Sequence, residues 1–443
     1  MEGIKQTVRD WYGDFPSKWD TIKFRLGFSF FKGLNITKED LVDEGIPVIS
    51  YGQVHAKDNP GTGIIDSLLR YVPDTYLAKN KSCLVHNGDF IFADTSEDYA
   101  GVGNVAFVDR ETTLFAGYHS IVARPILSTM YPKYYAYLFL TDCWRDQIRA
   151  NVMGVKVFSV TNKLLRDTFI LVPPIEEQKR IVSYLDDECS KLDEIIVTIR
   201  QQIDVLTAFK KSLITETVTN GLDKNAEMKD SGISWMGKVP SHWEVKRLKY
   251  IGRSRNGLTY APEDVSDTND GVLVLRSSNI QNDKLAMEDT VYVNMNVPDA
   301  LRLRRNDLLL CSRNGSRDLI GKCILIDERT EGETYGAFMS VFRSDCNEFL
   351  HYVFLSDIFT YYLGTFLTST VNQLTNYNLN NMVIPIPMDS DERQEIVNFL
   401  DQECGKLDEI IKGKEKQLEE AKEYRKSLIY EYVTGKKRLK EDL

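Results

Sequence analysis

The chain is written twice. Trp11-Tyr12-Gly13-Asp14-Phe15-Pro16-Ser17-Lys18-Trp19 and Trp235-Met236-Gly237-Lys238-Val239-Pro240-Ser241-His242-Trp243 share one pattern, W-x-G-x-x-P-S-x-W. Gly88-Asp89-Phe90-Ile91-Phe92 is echoed by Asn306-Asp307-Leu308-Leu309-Leu310, and the echo runs on without a gap to Gly103 and Asp109, matched by Gly321 and Asp327. Lys191-Leu192-Asp193-Glu194-Ile195-Ile196 returns residue for residue as Lys406-Leu407-Asp408-Glu409-Ile410-Ile411. The offset drifts between 215 and 224 residues, far beyond any solenoid period. Two similar globular lobes and two similar helices follow, and with them two similar tasks.

A length of 443 residues allows two to four domains, and 42% hydrophobic content suits sizeable cores. No apolar run approaches the length of a membrane span, and Met1-Glu2-Gly3-Ile4-Lys5-Gln6 lacks a signal pattern, so the cytoplasm is the expected location. Seven cysteines (83, 143, 189, 311, 323, 346, 404) are scattered and form no C-x-x-C pair, which suits reduced thiols. A net charge of −10 counts against a nonspecific nucleic-acid coat protein. It leaves room for local basic patches, or for basic partners that supply phosphate-binding charge.

Residues 1–174 form a first lobe with an N-terminal arm, and 235–387 a second. Each mixes short strands with one helical stretch, about Pro132 to Asn151 in the first and Glu348 to Phe366 in the second. The expected class is mixed α+β. A long helix occupies 175–222, announced by Pro173-Pro174-Ile175-Glu176-Glu177-Gln178 and stopped at Asn220-Gly221. A second occupies 388–435. Residues 223–234 read as a polar linker and 436–443 as a flexible tail.

Both long helices carry heptads. The first has a seam of Val182, Cys189, Ile196, Ile203 and Lys210, alongside Leu185, Leu192, Ile199, Leu206 and Leu213. The second has Val397, Cys404, Ile411, Leu418 and Arg425, alongside Leu400, Leu407, Lys414, Ala421 and Leu428. Five heptads per helix predict a coiled coil, and the position-by-position match makes each helix the natural partner of the other. The competing reading packs each helix on its own lobe. Lys414 and Ala421 predict looser packing in the middle of the second seam. A helix of about 40 residues spans roughly 60 Å and can serve as a spacer.

Chemistry is not written in the sequence. No phosphate loop or nucleophile elbow is present, and the five histidines (55, 86, 119, 242, 351) have no metal-ligand spacing, so no catalytic or metal site is predicted. What remains suits recognition of base edges and phosphates. In the first lobe the candidate DNA-binding residues are Tyr51, Gln53, His55, Lys57, Thr95, Asn104 and Lys156. In the second they are Arg255, Asn256, Arg276, Ser277, Asn279, Arg313, Asn314, Arg317 and Lys322. The framework at 88–109 matches that at 306–327, but the loop inside does not. Asp94-Thr95-Ser96-Glu97-Asp98-Tyr99 is acidic, whereas Ser312-Arg313-Asn314-Gly315-Ser316-Arg317 is basic. One scaffold with two loops implies two different ligand sites.

These residues together resemble the specificity subunit of type I restriction–modification enzymes. The resemblance rests on Pro173-Pro174-Ile175-Glu176-Glu177-Gln178-Lys179-Arg180-Ile181, the Leu185-Asp186 and Lys191-Leu192-Asp193 segments, the doubled tryptophan motif, and the alternation of lobe and helix across essentially all of the chain. The second copy departs where its helix begins, with Pro387-Met388-Asp389-Ser390-Asp391-Glu392-Arg393-Gln394. The resemblance implies two target-recognition domains that read one half each of a bipartite asymmetric double-stranded DNA sequence. It implies an antiparallel coiled coil that sets their spacing, and two methyltransferase subunits that bring their own S-adenosylmethionine. It also implies motor-nuclease subunits that bring ATP and Mg, and no catalysis by this chain. Circular pseudo-symmetry, also implied, puts residues 1–19 near the end of the second long helix. Half-site centres read from one face of a duplex lie roughly 34 Å apart. The rival reading is a bivalent coiled-coil adaptor that tethers two copies of a protein without DNA. A self-contained enzyme is a third class, for which no motif speaks.

Overall fold

The computed structural model describes residues 2–154, 156–266, 268, 270–367 and 372–439, the side chains of residues 2–6 excepted. The chain divides into two compact units, Met1–Thr198 with Gln417–Leu443, and Ile199–Lys416.

In the first unit a four-stranded antiparallel sheet runs in the order Phe28–Lys32, Ser120–Pro125, Phe90–Ala93, Val105–Phe107. In the second the order is Arg253–Asn256, Met339–Arg343, Leu308–Cys311, Cys323–Leu325, again antiparallel. The duplication seen in sequence is thus a duplication of sheet topology. Each unit adds a smaller sheet with one parallel pairing, Ile46–Ile49 with Leu114–Ala116 and Val272–Leu275 with Thr334–Tyr335. The cores are filled differently. Phe24, Phe28, Phe90, Phe92, Phe139 and Trp144 meet in the first unit, at tilted or edge-on angles except for the stacked Phe90–Phe92 pair. Leu308, Leu310, Phe342, Phe349 and Val353 fill the corresponding space in the second.

The shared Asp of the echo explains itself. The Asp89 carboxylate, 1% exposed, accepts from Arg124 Nε at 2.8 Å and Nη2 at 2.7 Å, and from the His86 backbone N–H at 2.8 Å. Asp307, 2% exposed, accepts from Arg343 Nε at 2.6 Å and Nη2 at 2.5 Å, and from the Arg304 N–H at 2.8 Å. Each fork ties two neighbouring strands together and raises the affinity of its guanidinium for the proton. The preceding residue must turn left-handed, φ 94° at Gly88 and 63° at Asn306, which is why glycine and asparagine alternate there.

Each helical stretch is two helices, not one. Pro132–Phe139 is followed by Asp142–Arg149, and Asn347–Leu355 by Asp357–Phe366. The break is written by Thr141 and Ser356. Their hydroxyls turn back to the carbonyls of Leu138 and Val353, both at 2.6 Å, in competition with the helix ladder.

The long helices run Ile175–Asn220 and Ser390–Val433. They pair antiparallel. In the first unit Asp193 bonds Arg425 (2.8 Å) and the Tyr184 and Tyr432 rings lie 4.6 Å apart, so the partner number rises as the helix number falls. In the second unit Lys210 bonds Asp408 at 2.6 Å. The seam Val182, Leu185, Leu192, Ile196, Ile199, Ile203, Leu206, Leu213, Val397, Leu400, Leu407, Ile411, Leu418 and Leu428 is buried or half-buried throughout. Off-seam Ile195, Val205 and Phe209 are exposed. Lys414 and Ala421 are half-buried. The competing reading also contributes. The helix ends belong to the lobe cores, Ile181, Val182 and Leu185 joining Tyr134 and Phe139 in the first, and Ile214 and Val218 joining Phe349 and Leu350 in the second. A tyrosine–aspartate bond repeats at these junctions, Tyr137 to Asp186 at 2.7 Å and Tyr352 to Asp401 at 2.5 Å.

The divergent helix start keeps its function. Buried Gln178 donates to the carbonyls of Pro173 (2.7 Å) and Thr129 (3.0 Å) and accepts from Tyr131 N–H (2.8 Å). Arg393 stands in its place and donates to the carbonyls of Pro387 (2.7 Å) and Met388 (3.0 Å). The N-terminal arm lies where circular symmetry puts it. Lys436 Nζ donates to Asp14 O at 2.5 Å, and a Cβ on Gly435 would meet Pro16 at 2.4 Å and Trp19 at 3.0 Å. Trp243 lies against Gly221 in the same way, 3.2 Å from a Cβ there.

Two expectations need correction. The linker is partly strand, because Met228–Asp230 pairs with Lys238–Pro240, so its polar residues form an edge. The tail is tied down as far as Leu439, with Lys437 bonded to Glu431 at 2.6 Å and Leu439 packed on the first core. The rest of the predicted flexible tail, 440–443, lies outside the described residues.

Candidate nucleic-acid interface

The same backbone corner occurs in both units at the end of the central hairpin strand. In the first unit Asp94 N–H donates to His119 O at 3.1 Å, and Val160 N–H donates to Asp94 O at 2.7 Å. In the second Ser312 N–H donates to Phe338 O at 3.0 Å, and Leu374 N–H donates to Ser312 O at 2.7 Å. Three segments meet at each corner, and the side chains they carry differ.

In the first corner Tyr51 packs edge-on to His55, Tyr118 and His119, and His119 Nδ1 lies 3.0 Å from Asp94 Oδ1. Burial and the neighbouring Tyr51 hydroxyl raise the Tyr118 phenol above its usual range. The predicted residues His55, Thr95 and Asn104 come together, but as a lock. Asn104 Oδ1 accepts from Arg145, so its amide N–H₂ faces His55 Nδ1 at 3.0 Å. His55 therefore carries its proton on Nε2, which donates to Thr95 O at 2.7 Å. Both ring nitrogens are engaged. Arg145 also donates to the carbonyls of Val102 (3.2 Å) and Ala100 (3.0 Å), and Arg149 to Ala100 (2.8 Å), so two arginines of one helix clamp the acidic loop. Burial, and then Arg149, lower the Arg145 pKa to about 10. Gln53 closes the cap of its short helix by accepting from Ser50 N–H at 3.1 Å. Lys57 is exposed on the turn beyond. Lys156 is exposed just before Phe158–Ser159, which pairs with Thr95–Ser96 and so brings Lys156 toward the same loop.

In the second corner the Arg313 guanidinium lies over the Phe338 ring, 5.2 Å from its centroid. Asn314 Nδ2 donates to Ser277 Oγ at 3.1 Å, and Arg317 donates to Leu367 O at 3.2 Å. Exposed Asn256 accepts from Ser340 Oγ at 2.9 Å, and exposed Arg255 sits beside it on the same edge strand. Lys322 lies opposite, its carbonyl accepting from Cys311 N–H at 2.9 Å. Arg276 is held by Asp289 at 2.7 Å. Asn279 corrects the expectation. It is wholly buried, and its amide caps Arg276 N–H (2.9 Å) and bonds the carbonyls of Ala286 (3.0 Å) and Asp289 (2.9 Å). It is the counterpart of Gln53, a cap that shapes the loop from within. The sequence reading passed over His119, Tyr118, Phe338 and Arg145. A signal was available in Gly117 and Gly336, which precede the two corner turns at matching places.

Among the described residues no group of His, Cys, Asp or Glu is arranged to hold a metal ion, and no helix is long and apolar enough to cross a membrane. The chain carries two like lobes with unlike exposed loops, and two long helices that pair. This is the architecture of a two-part recognition protein. The chain matches the type I restriction modification DNA specificity domain over residues 16–205 and 240–420, and belongs to that family. It is 26% identical over 313 residues to the type I restriction enzyme MjaVIII specificity subunit of Methanocaldococcus jannaschii, covering 69% of this chain and 70% of that one. It is 21% identical to the EcoKI specificity subunit of Escherichia coli K12, covering 71% and 65%. Its fold is similar to a solved structure described under complex assembly and conformational transition of the type I R-M system, with a TM-score of 0.68, 17% identity, and 95% and 99% of the two chains covered.

Proposed function

We propose that this chain reads a bipartite, asymmetric double-stranded DNA target, one half-site per lobe, and that the paired long helices set the distance between the halves. The observation that carries this is the repeated corner, one backbone scaffold presenting Asp94 and His119 in one unit and Arg313 and Phe338 in the other. Two copies of a reader with different side chains read two different sequences. Each long helix contributes one end to each unit, which suits a spacer. In this reading the chain is not an enzyme. It scaffolds two methyltransferase subunits, which bind S-adenosylmethionine, and motor-nuclease subunits, which use ATP and Mg, in the cytoplasm. Family membership sets the DNA-free adaptor aside.

The test is geometric. Removing one heptad from each helix shortens a helix pair by roughly 10 Å, about three base pairs. Methylated adenines mapped across a genome expressing such a variant should show both half-sites intact and the spacer between them shorter. The original spacer, recovered from a folded and active variant, would refute the role given to the helices.

A further inference from the structure

We infer that the base-discriminating element of each lobe is the corner itself, His119 held by Asp94 in the first unit and Arg313 laid on Phe338 in the second, and that the two corners have opposite hydrogen-bonding polarity. The inference rests on the DNA-reading role proposed above and assigns it to particular atoms. Two backbone bonds recur at both corners, and the second corner adds one from Arg313 N–H to Phe338 O at 3.0 Å. The repeated bonds bring the same chain segments together at both corners and leave the identity of their side chains to vary. The projecting residues are exposed, 57% for the His119 side chain and 59% for Phe338. His119 also adopts a left-handed backbone, φ 51°, which sets the direction of its ring at the turn.

The chemistry follows from the partners. Asp94 Oδ1 accepts from His119 Nδ1 at 3.0 Å, which in the neutral ring leaves Nε2 as an acceptor. An acceptor in the major groove selects the exocyclic amino group of adenine or cytosine. Arg313 is donor-only. Its guanidinium lies over the Phe338 ring and makes no hydrogen bond among the described residues, which leaves its donor fork for O6 and N7 of guanine.

Adenine methylation maps from cells that carry the full-length chain with its methyltransferase subunits test both corners. Arg313→Ala should relax a guanine requirement in one half-site by about ten-fold, and Arg313→Lys should relax it less. His119→Ala should relax an adenine or cytosine requirement in the other half-site, and His119→Gln should partly keep it, because the amide oxygen can replace Nε2. Unchanged base preference in active variants overturns the inference while leaving the bipartite reading intact. So does a uniform loss of methylation by chains whose melting temperature is unchanged. Absence of any bipartite methylation with the unaltered chain removes the proposed function, and this inference with it.

Discussion

The two loops that cap the central hairpins solve one problem in opposite ways. In the first unit the acidic loop ties itself with Ser96 Oγ donating to Asp98 O and Asp98 Oδ1 accepting from Gly101 N–H, and the framework supplies the arginines, Arg145 and Arg149, that reach in to hold it. In the second the arginine belongs to the loop. Arg317 reaches out to the carbonyl of Leu367, just past the end of the lobe's second helix. A loop clamped from outside can be acidic and still rigid, because the scaffold carries the positive charge. A loop that anchors itself with one arginine keeps another, Arg313, for the surface. Divergence after duplication therefore changed the ownership of the fixing charge along with the loop sequence. That is how one fold can present a net acidic reader and a net basic one.

The largest effect that would sharpen this contrast comes from the loop itself. Replacing Ser312 to Arg317 should change one half of the target sequence completely and leave the other half as it was. A methylation map in which both halves change counts against independent lobes.

Next in size are the buried carboxylates. Asp89→Ala strands Arg124, and Asp307→Ala strands Arg343, among closely packed strands. Removing one partner of a buried pair costs roughly 3–5 kcal/mol, and these guanidinium groups, about one-third exposed, place the cost near the lower end. Hydrogen exchange should show the loss of protection confined to the unit that carries the substitution. Equal loss in both units would break the comparison.

Acid should separate the lobes too. His351 replaces Ala136 at the equivalent helical position, and burial pushes its pKa down to about 4, opposed by Asp401 and assisted by Lys210. The folded value lies below the unfolded value of about 6.5, so the unfolded chain binds the proton more tightly. The stability this residue lends is complete above about pH 6.5 and drains away as pH falls toward 4, by about 3 kcal/mol at most. The second unit should therefore open first on acidification, and His351→Ala should remove that difference. Simultaneous opening of both units in the unaltered chain, followed by hydrogen exchange, would contradict it.

Much of this was legible beforehand, for identifiable reasons. Heptads are periodic, so every seam position could be assigned and each is buried or half-buried. The duplicated tryptophan motif located the N-terminal arm at Gly435. Side-chain direction was not legible. Asn279 and Arg313 look alike as candidates in sequence, yet one is a buried cap and the other an exposed fork. The capping relation between Arg276 N–H and the side chain three residues on could have distinguished them, since Ser50 and Gln53 repeat it. The helix breaks at Thr141 and Ser356 escaped notice because the apolar spacing continues across them and only a hydroxyl marks the end. His119 carried no pattern at all. Its importance lies in a backbone angle and in neighbours far away in sequence.

The smallest predicted effect concerns the seam. Lys210 and Arg425 occupy the same heptad position, and each finds an aspartate on the other helix, Asp408 and Asp193. Asp408 is 36% exposed and Asp193 53%, so solvent screens the first-unit pair more. Partly exposed pairs couple by about 0.2–1 kcal/mol, and the Lys210–Asp408 coupling should be the larger of the two. A slip of one heptad sets Lys210 against Glu415 and Arg425 against Arg200 in one direction, and against Asp401 and Asp186 in the other, so these charges oppose the slip in the first direction only. Lys210→Asp with Asp408→Lys should restore most of the stability that either change removes alone. Double-mutant cycles by denaturant titration measure both couplings. A zero coupling in both units would leave register to the leucine and isoleucine packing alone, and a larger coupling for Arg425–Asp193 would reverse the ranking that exposure sets.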